Sequence, residues 1–171
     1  TYVDVAPYEI FSNNVLPFDD IVRIKHAEDV LEKYWNAHRM DATIEYLVTD
    51  VFDTPFDFFQ NCGTYWEERG WSRIGHQLED LFMRLLDFLS TLPHVDLGMV
   101  KTLMLIDYFK PQSFIPRKTW WKERVAEDQL KALYAAIRQN AAVAGEEFAA
   151  MNVSEKDLFK HSLIIPSSIS Y

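Results

Sequence analysis

Cysteine is almost missing from this 171-residue chain, and Cys62 is the only one. A lone thiol cannot close an internal disulfide, so nothing requires an oxidising compartment, and it cannot supply the ligands of a zinc knuckle or an iron–sulfur cluster held within the chain. Glycine is scarce too, with five residues in all. None of the glycine-dependent loops GxxxxGK[ST], GxGxxG or GxSxG occurs, and with them go the mechanical elements of P-loop, dinucleotide-binding and serine-hydrolase chemistry. Basic side chains are in deficit, 17 against 26 acidic ones for a formal charge of −9, which opposes binding to nucleic acid or anionic lipid. No run approaches the ~20 continuous apolar residues of a membrane span, and no signal stretch opens the chain. A cytoplasmic protein without nucleic-acid or membrane partners is expected.

What is abundant is apolar and aromatic surface, at 49% and 15% of residues, enough for a sizeable core in one domain of this length. Its spacing is helical. Phe18, Ile21, Ile24, Ala27, Leu31, Tyr34 and Trp35 recur at three- and four-residue steps, with Asp19 and Asp20 where a first helical turn favours acids, which predicts a helix over 18–38. A second covers 41–52 with Asp41 as its N-cap. Asp53-Thr54-Pro55 stops it and starts a third, whose C-terminal cap is Gly70. Further helices are predicted in 76–92, 95–109 and 123–140, with a weaker alanine-rich one reaching Met151. The fold class is all-α, a multi-helix bundle of about six helices over 18–161, between an extended N-terminal segment 1–17 and an extended tail 162–171. The tail, with its β-branched run and proline, reads as a short edge strand or a docked arm.

Two stretches are candidates for function. "PFDFFQNCGTYWEERGW", residues 55–71, puts Phe56, Phe58, Phe59, Tyr65, Trp66 and Trp71 beside Cys62. Positions 58, 62, 65 and 66 share one helical stripe, so most of these rings read as core, with Trp71 and Phe56 left for contacts or for an aromatic cleft. Cys62 between rings reads as an inert small hydrophobe, not a nucleophile. The second stretch, residues 110–124, interleaves Lys110, Arg117, Lys118, Lys122 and Arg124 with Trp120 and Trp121 in an otherwise acidic chain. It is a candidate docking surface, weighed against cations that pair and pack within the same domain.

Metal chemistry finds no footing in the spacing. A di-iron bundle needs a glutamate three residues before a histidine on two helices, whereas Arg23, Trp35, Arg73, Thr91 and Leu158 precede the five histidines. His76 with Glu79 and Asp80 reads as a capping or solvated arrangement. No catalytic, cofactor-binding or metal-ligating residue is assigned.

The segments "YEIFSNNVLPFDDIVRIKHAEDVLEKYWNAHRM", "TPFDFFQNCGTYWEERGW" and "IDYFKPQSFIPRK" together resemble a C-terminal domain of unknown function found in cobalamin (B12)-binding radical SAM proteins. The resemblance runs from Thr1 to about Lys118 and more weakly beyond. It implies a longer parent in which a cobalamin-binding domain and a radical SAM barrel precede this domain, and in which "DVAPYEIFSNN" is the exit from the barrel. S-adenosylmethionine, a [4Fe–4S] cluster and cobalamin are thereby implied for the parent and none for this chain, because the CxxxCxxC loop of that family is not in it. Such parents are sometimes labelled, by analogy, anaerobic cyclases of magnesium-protoporphyrin monomethyl ester. The expected role is that of an accessory helical domain, not itself catalytic, whose partner is the barrel of its own parent chain and which forms a weak homodimer when excised. The alternative is an independent helical module that binds a small apolar ligand or a partner protein.

Overall fold

The computed structural model describes residues 17–112, 119–122, 124–151, 153, 154, 157, 162 and 164. The expected barrel-exit segment apart from Pro17, Arg117 and Lys118 of the basic stretch, and nearly all of the expected tail strand lie outside the described residues. Among the described residues there are seven α-helices and no strand, as the helical spacing predicts. The chain divides into two compact units, Thr1–Tyr108 and Phe109–Tyr171.

In the first unit, α1 (Phe18–Leu31) carries Asp19 and Asp20 in its first turn and buries Ala27 and Val30. Its spiral widens into a π-type turn at Glu32–Asn36, which brings Tyr34 to the interior. The helix ends at His38, held at φ 49°, where the His38 amide donates to the Trp35 carbonyl (2.9 Å) and the Arg39 amide to that of Tyr34 (3.4 Å). That is a left-handed helix stop usually given to glycine. A second helix, α2 (Asp41–Tyr46), widens in the same way at Leu47–Val51.

The expected N-cap Asp41 is in fact the first helical residue, preceded by Met40, whose side chain makes no cap. The cap comes from a distant helix. Asp107 accepts from the Ala42 amide (3.1 Å), the Thr43 amide (2.8 Å) and the Thr43 hydroxyl (2.7 Å), while Asp41 turns to His38 Nδ1 (3.2 Å).

Helix α3 (Pro55–Glu68) starts as its sequence requires. Thr54, held extended by the following proline, accepts from the Asp57 amide at 3.1 Å, and Gly70 ends the segment at φ 67°. Helix α4 (Leu78–Leu89) opens with a reciprocal cap between Gln77 and Asp80. The first turn of α5 (Leu97–Phe109) is capped by Asp96, which accepts from the amides of Gly98 and Met99. The core joins Val30 and Tyr34 to Ile44 and Leu47, to Phe58, Cys62 and Trp66 of α3, to Leu81, Phe82, Leu85 and Leu89 of α4, and to Val100, Met104 and Tyr108 of α5.

The closest helix pairing is that of α1 and α3. Where they cross, a Cβ added to Gly63 would overlap the main-chain carbonyl of His26. A glycine inside a helix costs about 1 kcal/mol relative to alanine, and here it permits the close approach.

The second unit holds α6 (Glu127–Gln139), a 3-10 turn at Ala141–Ala144 and α7 (Glu146–Ala150). Tyr134 of α6 is buried and its hydroxyl lies 3.2 Å from the Ser162 hydroxyl. Among the described residues no helix is long and apolar enough to cross a membrane.

Candidate functional site

The rings of residues 55–71 separate along α3. Near its start Phe58 packs edge-on to Phe59 (centroids 4.9 Å apart) and to Phe52 (5.3 Å), and Phe88 of α4 closes the group. Phe58 and Phe59 are buried, and Phe56 points outward, half exposed. Toward the end of α3, Trp66 is wholly buried and Tyr65 and Trp71 are partly so. Trp66 meets Tyr34 (5.7 Å, 81°), Trp71 (6.0 Å, 89°) and His76 (4.8 Å), and Tyr65 meets Trp71 (5.9 Å). The left-handed bend at Gly70 folds Trp71 back onto the helix that precedes it.

Basic side chains surround this second group. Lys33, carried inward by the π-type turn, sits 5.6 Å from the Trp66 ring centre and pairs with Asp29. Arg69 lies over the Tyr65 ring at 3.3 Å and pairs with Asp87 at 3.6 Å. Arg73 pairs with Glu67, and the bonds from Ser72 and then Arg73 hold the Glu67 carboxyl below its ordinary range. Arg84 differs. Its guanidinium lies 5.0 Å from the Trp71 ring centre and 5.7 Å from that of Trp66, and it contacts His76 Nδ1. Among the described residues no carboxylate pairs with it. Partial burial lowers the basicity of this guanidinium.

Two buried polar atoms in this region lack a hydrogen-bond partner, the Trp66 indole Nε1 and Asp29 Oδ2. Burial raises the Tyr34 hydroxyl well above its ordinary pKa, and it donates to the Leu81 carbonyl at 2.9 Å. Tyr65 is pushed up to about 12 by burial and by its bond to Asp87. Burial likewise pushes the Cys62 thiol far above the thiolate range, and the side chain is wholly covered. It packs as a small hydrophobe, with none of the electropositive setting a nucleophile needs.

The spacing of the sequence finds Tyr65, Trp66 and Trp71 and puts Tyr34 on an apolar helical face, but it does not join Tyr34 or His76 to these rings and does not single out Arg84. One signal was available for Arg84. It stands three residues after Leu81 and four before Phe88, so a cation sits on the edge of an apolar helical stripe. His76, Glu79 and Asp80 do not converge. His76 lies against Trp66, Glu79 accepts from the Tyr108 hydroxyl (2.8 Å) and Asp80 caps α4. Among the described residues no group of three or more metal-ligating side chains occurs.

In the basic stretch the two indoles turn inward. Trp120 and Trp121 are buried, 5.5 Å apart, and Trp121 meets Phe109 at 5.3 Å. Lys110, Lys122 and Arg124 are exposed.

A helical protein with an aromatic and basic cluster at one helix end is the class these features define. The family described as "Protein of unknown function (DUF4080)" matches residues 1–168, and the chain belongs to it. No curated protein and no solved structure matches. Of the cofactors implied for the resembled parents, the iron–sulfur cluster does not fit the residues present. A [4Fe–4S] cluster needs several thiolates, and this chain offers one buried thiol.

Proposed function

We propose that this chain is the accessory C-terminal helical domain of a cobalamin-binding radical SAM enzyme, which packs on the catalytic barrel of its parent and shapes access to a site that must stay dry. The observation that carries this reading is the exposure of two large apolar side chains, one on α1 and one in the turn that follows it. Ile24 and Trp35 are 43% and 40% exposed, beside the buried face of Ala27, Val30 and Tyr34. Helix faces that leave large apolar groups in water are suited to a neighbouring surface. Membership of a family of unknown function over nearly the whole chain agrees with the domain-level part of the reading. The alternative, an independent helical module for a small apolar ligand or a partner protein, would use a cleft lined by the rings of 55–71, of which Phe58 and Trp66 are wholly covered within the chain and Phe56 is half exposed.

Hydroxyl-radical footprinting tests the proposal. Trp35 should be oxidised readily in the isolated 171-residue chain and be protected at least about fivefold in the longer parent, with Ile24→Glu in the parent restoring reactivity. Equal reactivity of Trp35 in both proteins would refute packing on the barrel through this face.

A further inference from the structure

The cations around Trp66 and Trp71 are not alike. Lys33, Arg69 and Arg73 each have a carboxylate, supplied by Asp29, Asp87 and Glu67. Among the described residues Arg84 has none, although the chain carries 26 acidic residues and a formal charge of −9. A guanidinium presents five N–H donors in a fixed fork. The fork touches His76 and lies over the rings of Trp66 and Trp71.

Beside it the Trp66 indole N–H is fully buried with no acceptor. A buried donor without a partner costs free energy comparable to a lost hydrogen bond. Arg84, His76 and Trp71 are each partly exposed.

We propose that Arg84, backed by His76 and walled by Trp66 and Trp71, binds the oxyanion, carboxylate or phosphate, of a small ligand. The planar fork matches either group with two parallel charge-assisted hydrogen bonds. His76 Nδ1 accepts from one edge of the guanidinium and leaves the rest of the fork for the ligand. Neighbouring cations do not compete, because their own carboxylates neutralise them. This assignment does not depend on packing against a barrel.

The test is titration of the full 171-residue chain with inorganic phosphate and, separately, with benzoate at constant ionic strength. It is read by tryptophan fluorescence and by the indole N–H resonances in a heteronuclear spectrum. Saturable binding of one probe or both, with a shift of the Trp66 indole resonance, is expected, and the better probe identifies the oxyanion. Arg84→Gln should weaken binding at least about tenfold, since charge-assisted bonds are lost. Arg84→Lys keeps the charge without the fork and should fall between the two. Arg69→Gln removes a cation already paired with Asp87 and should leave the affinity within about twofold. If Arg84→Gln fails to give a native melting transition, the Arg84→Lys comparison decides. Absence of saturable binding of either probe to the unaltered chain, or equal loss in the Arg69 and Arg84 variants, overturns the proposal.

Discussion

The carboxylate of Asp107 on α5 holds Thr43 on α2 by two bonds, accepting from its amide at 2.8 Å and from its hydroxyl at 2.7 Å. A third bond, from the Ala42 amide, completes a helix cap supplied from 64 and 65 positions away in sequence. Asp107 is 7% exposed and Thr43 wholly buried, so water cannot replace either partner. Asp107→Ala is expected to cost about 3 kcal/mol, because it leaves two amides and a hydroxyl without an acceptor near a helix start. Asp107→Asn, which keeps an acceptor, should cost less than half of that. Urea midpoints measured at constant slope check both values.

Gly63 offers a change whose sign depends on the tertiary structure. Helix propensity alone makes Gly63→Ala stabilising by about 1 kcal/mol. The overlap with the His26 carbonyl makes it destabilising by about 2 kcal/mol or more, since main chain on both sides cannot yield as a flexible side chain would. A rise in the thermal midpoint of Gly63→Ala would show that α1 and α3 do not approach as closely as described.

His38 sits at φ 49° without being glycine. The left-handed region costs an ordinary residue about 1 kcal/mol. The bond of His38 to Asp41 is exposed and worth little. His38→Gly is therefore expected to raise stability by up to about 1 kcal/mol, read as a shift in the urea midpoint, whereas His38→Val should lower it.

Cys62 is wholly buried and its thiol is held protonated by burial. A thiol reagent should label it slowly in the native chain with little increase from pH 7 to pH 9, and rapidly in denaturant, where an ordinary thiolate forms. Fast native labelling near neutral pH would place the side chain in a polar, accessible setting and contradict the packing around it.

Alkali should destabilise the fold. Burial raises Tyr34, Tyr65 and Cys62 above their ordinary values. In each case the folded state keeps a proton that the unfolded chain gives up first. The contribution to stability is thus fully present below the unfolded pKa values and is lost as pH rises above them, beginning near 8.5 for the thiol and 10 for the phenols. Urea midpoints at pH 7, 9 and 10 should show a falling trend in the last interval. Tyr34→Phe, which is less stable at neutral pH because the Leu81 carbonyl loses its donor, should show a shallower fall.

Much of the helical architecture was legible in order of residues. The three- and four-residue spacing of Phe18 to Trp35, the Thr54-Pro55 start and the Gly70 stop each depend on neighbours within one or two turns, and each stands where the spacing predicts it. Such signals are local, because a cap or an apolar face is defined by the few residues that share a turn. The sequence also determined, by its one cysteine, that these residues cannot by themselves supply the thiolates of an iron–sulfur cluster. Tertiary structure alone decided that Asp107, not Asp41, caps α2, that Gly63 meets His26, that Trp120 and Trp121 turn inward while Lys110, Lys122 and Arg124 are exposed, and that Arg84 rests on two indoles instead of a carboxylate. Each of those outcomes joins residues far apart in the chain or sets which face of a segment is covered. Periodicity shows that a helix has an apolar side, but which donor, acceptor or ring comes to lie against it is fixed only when the helices pack.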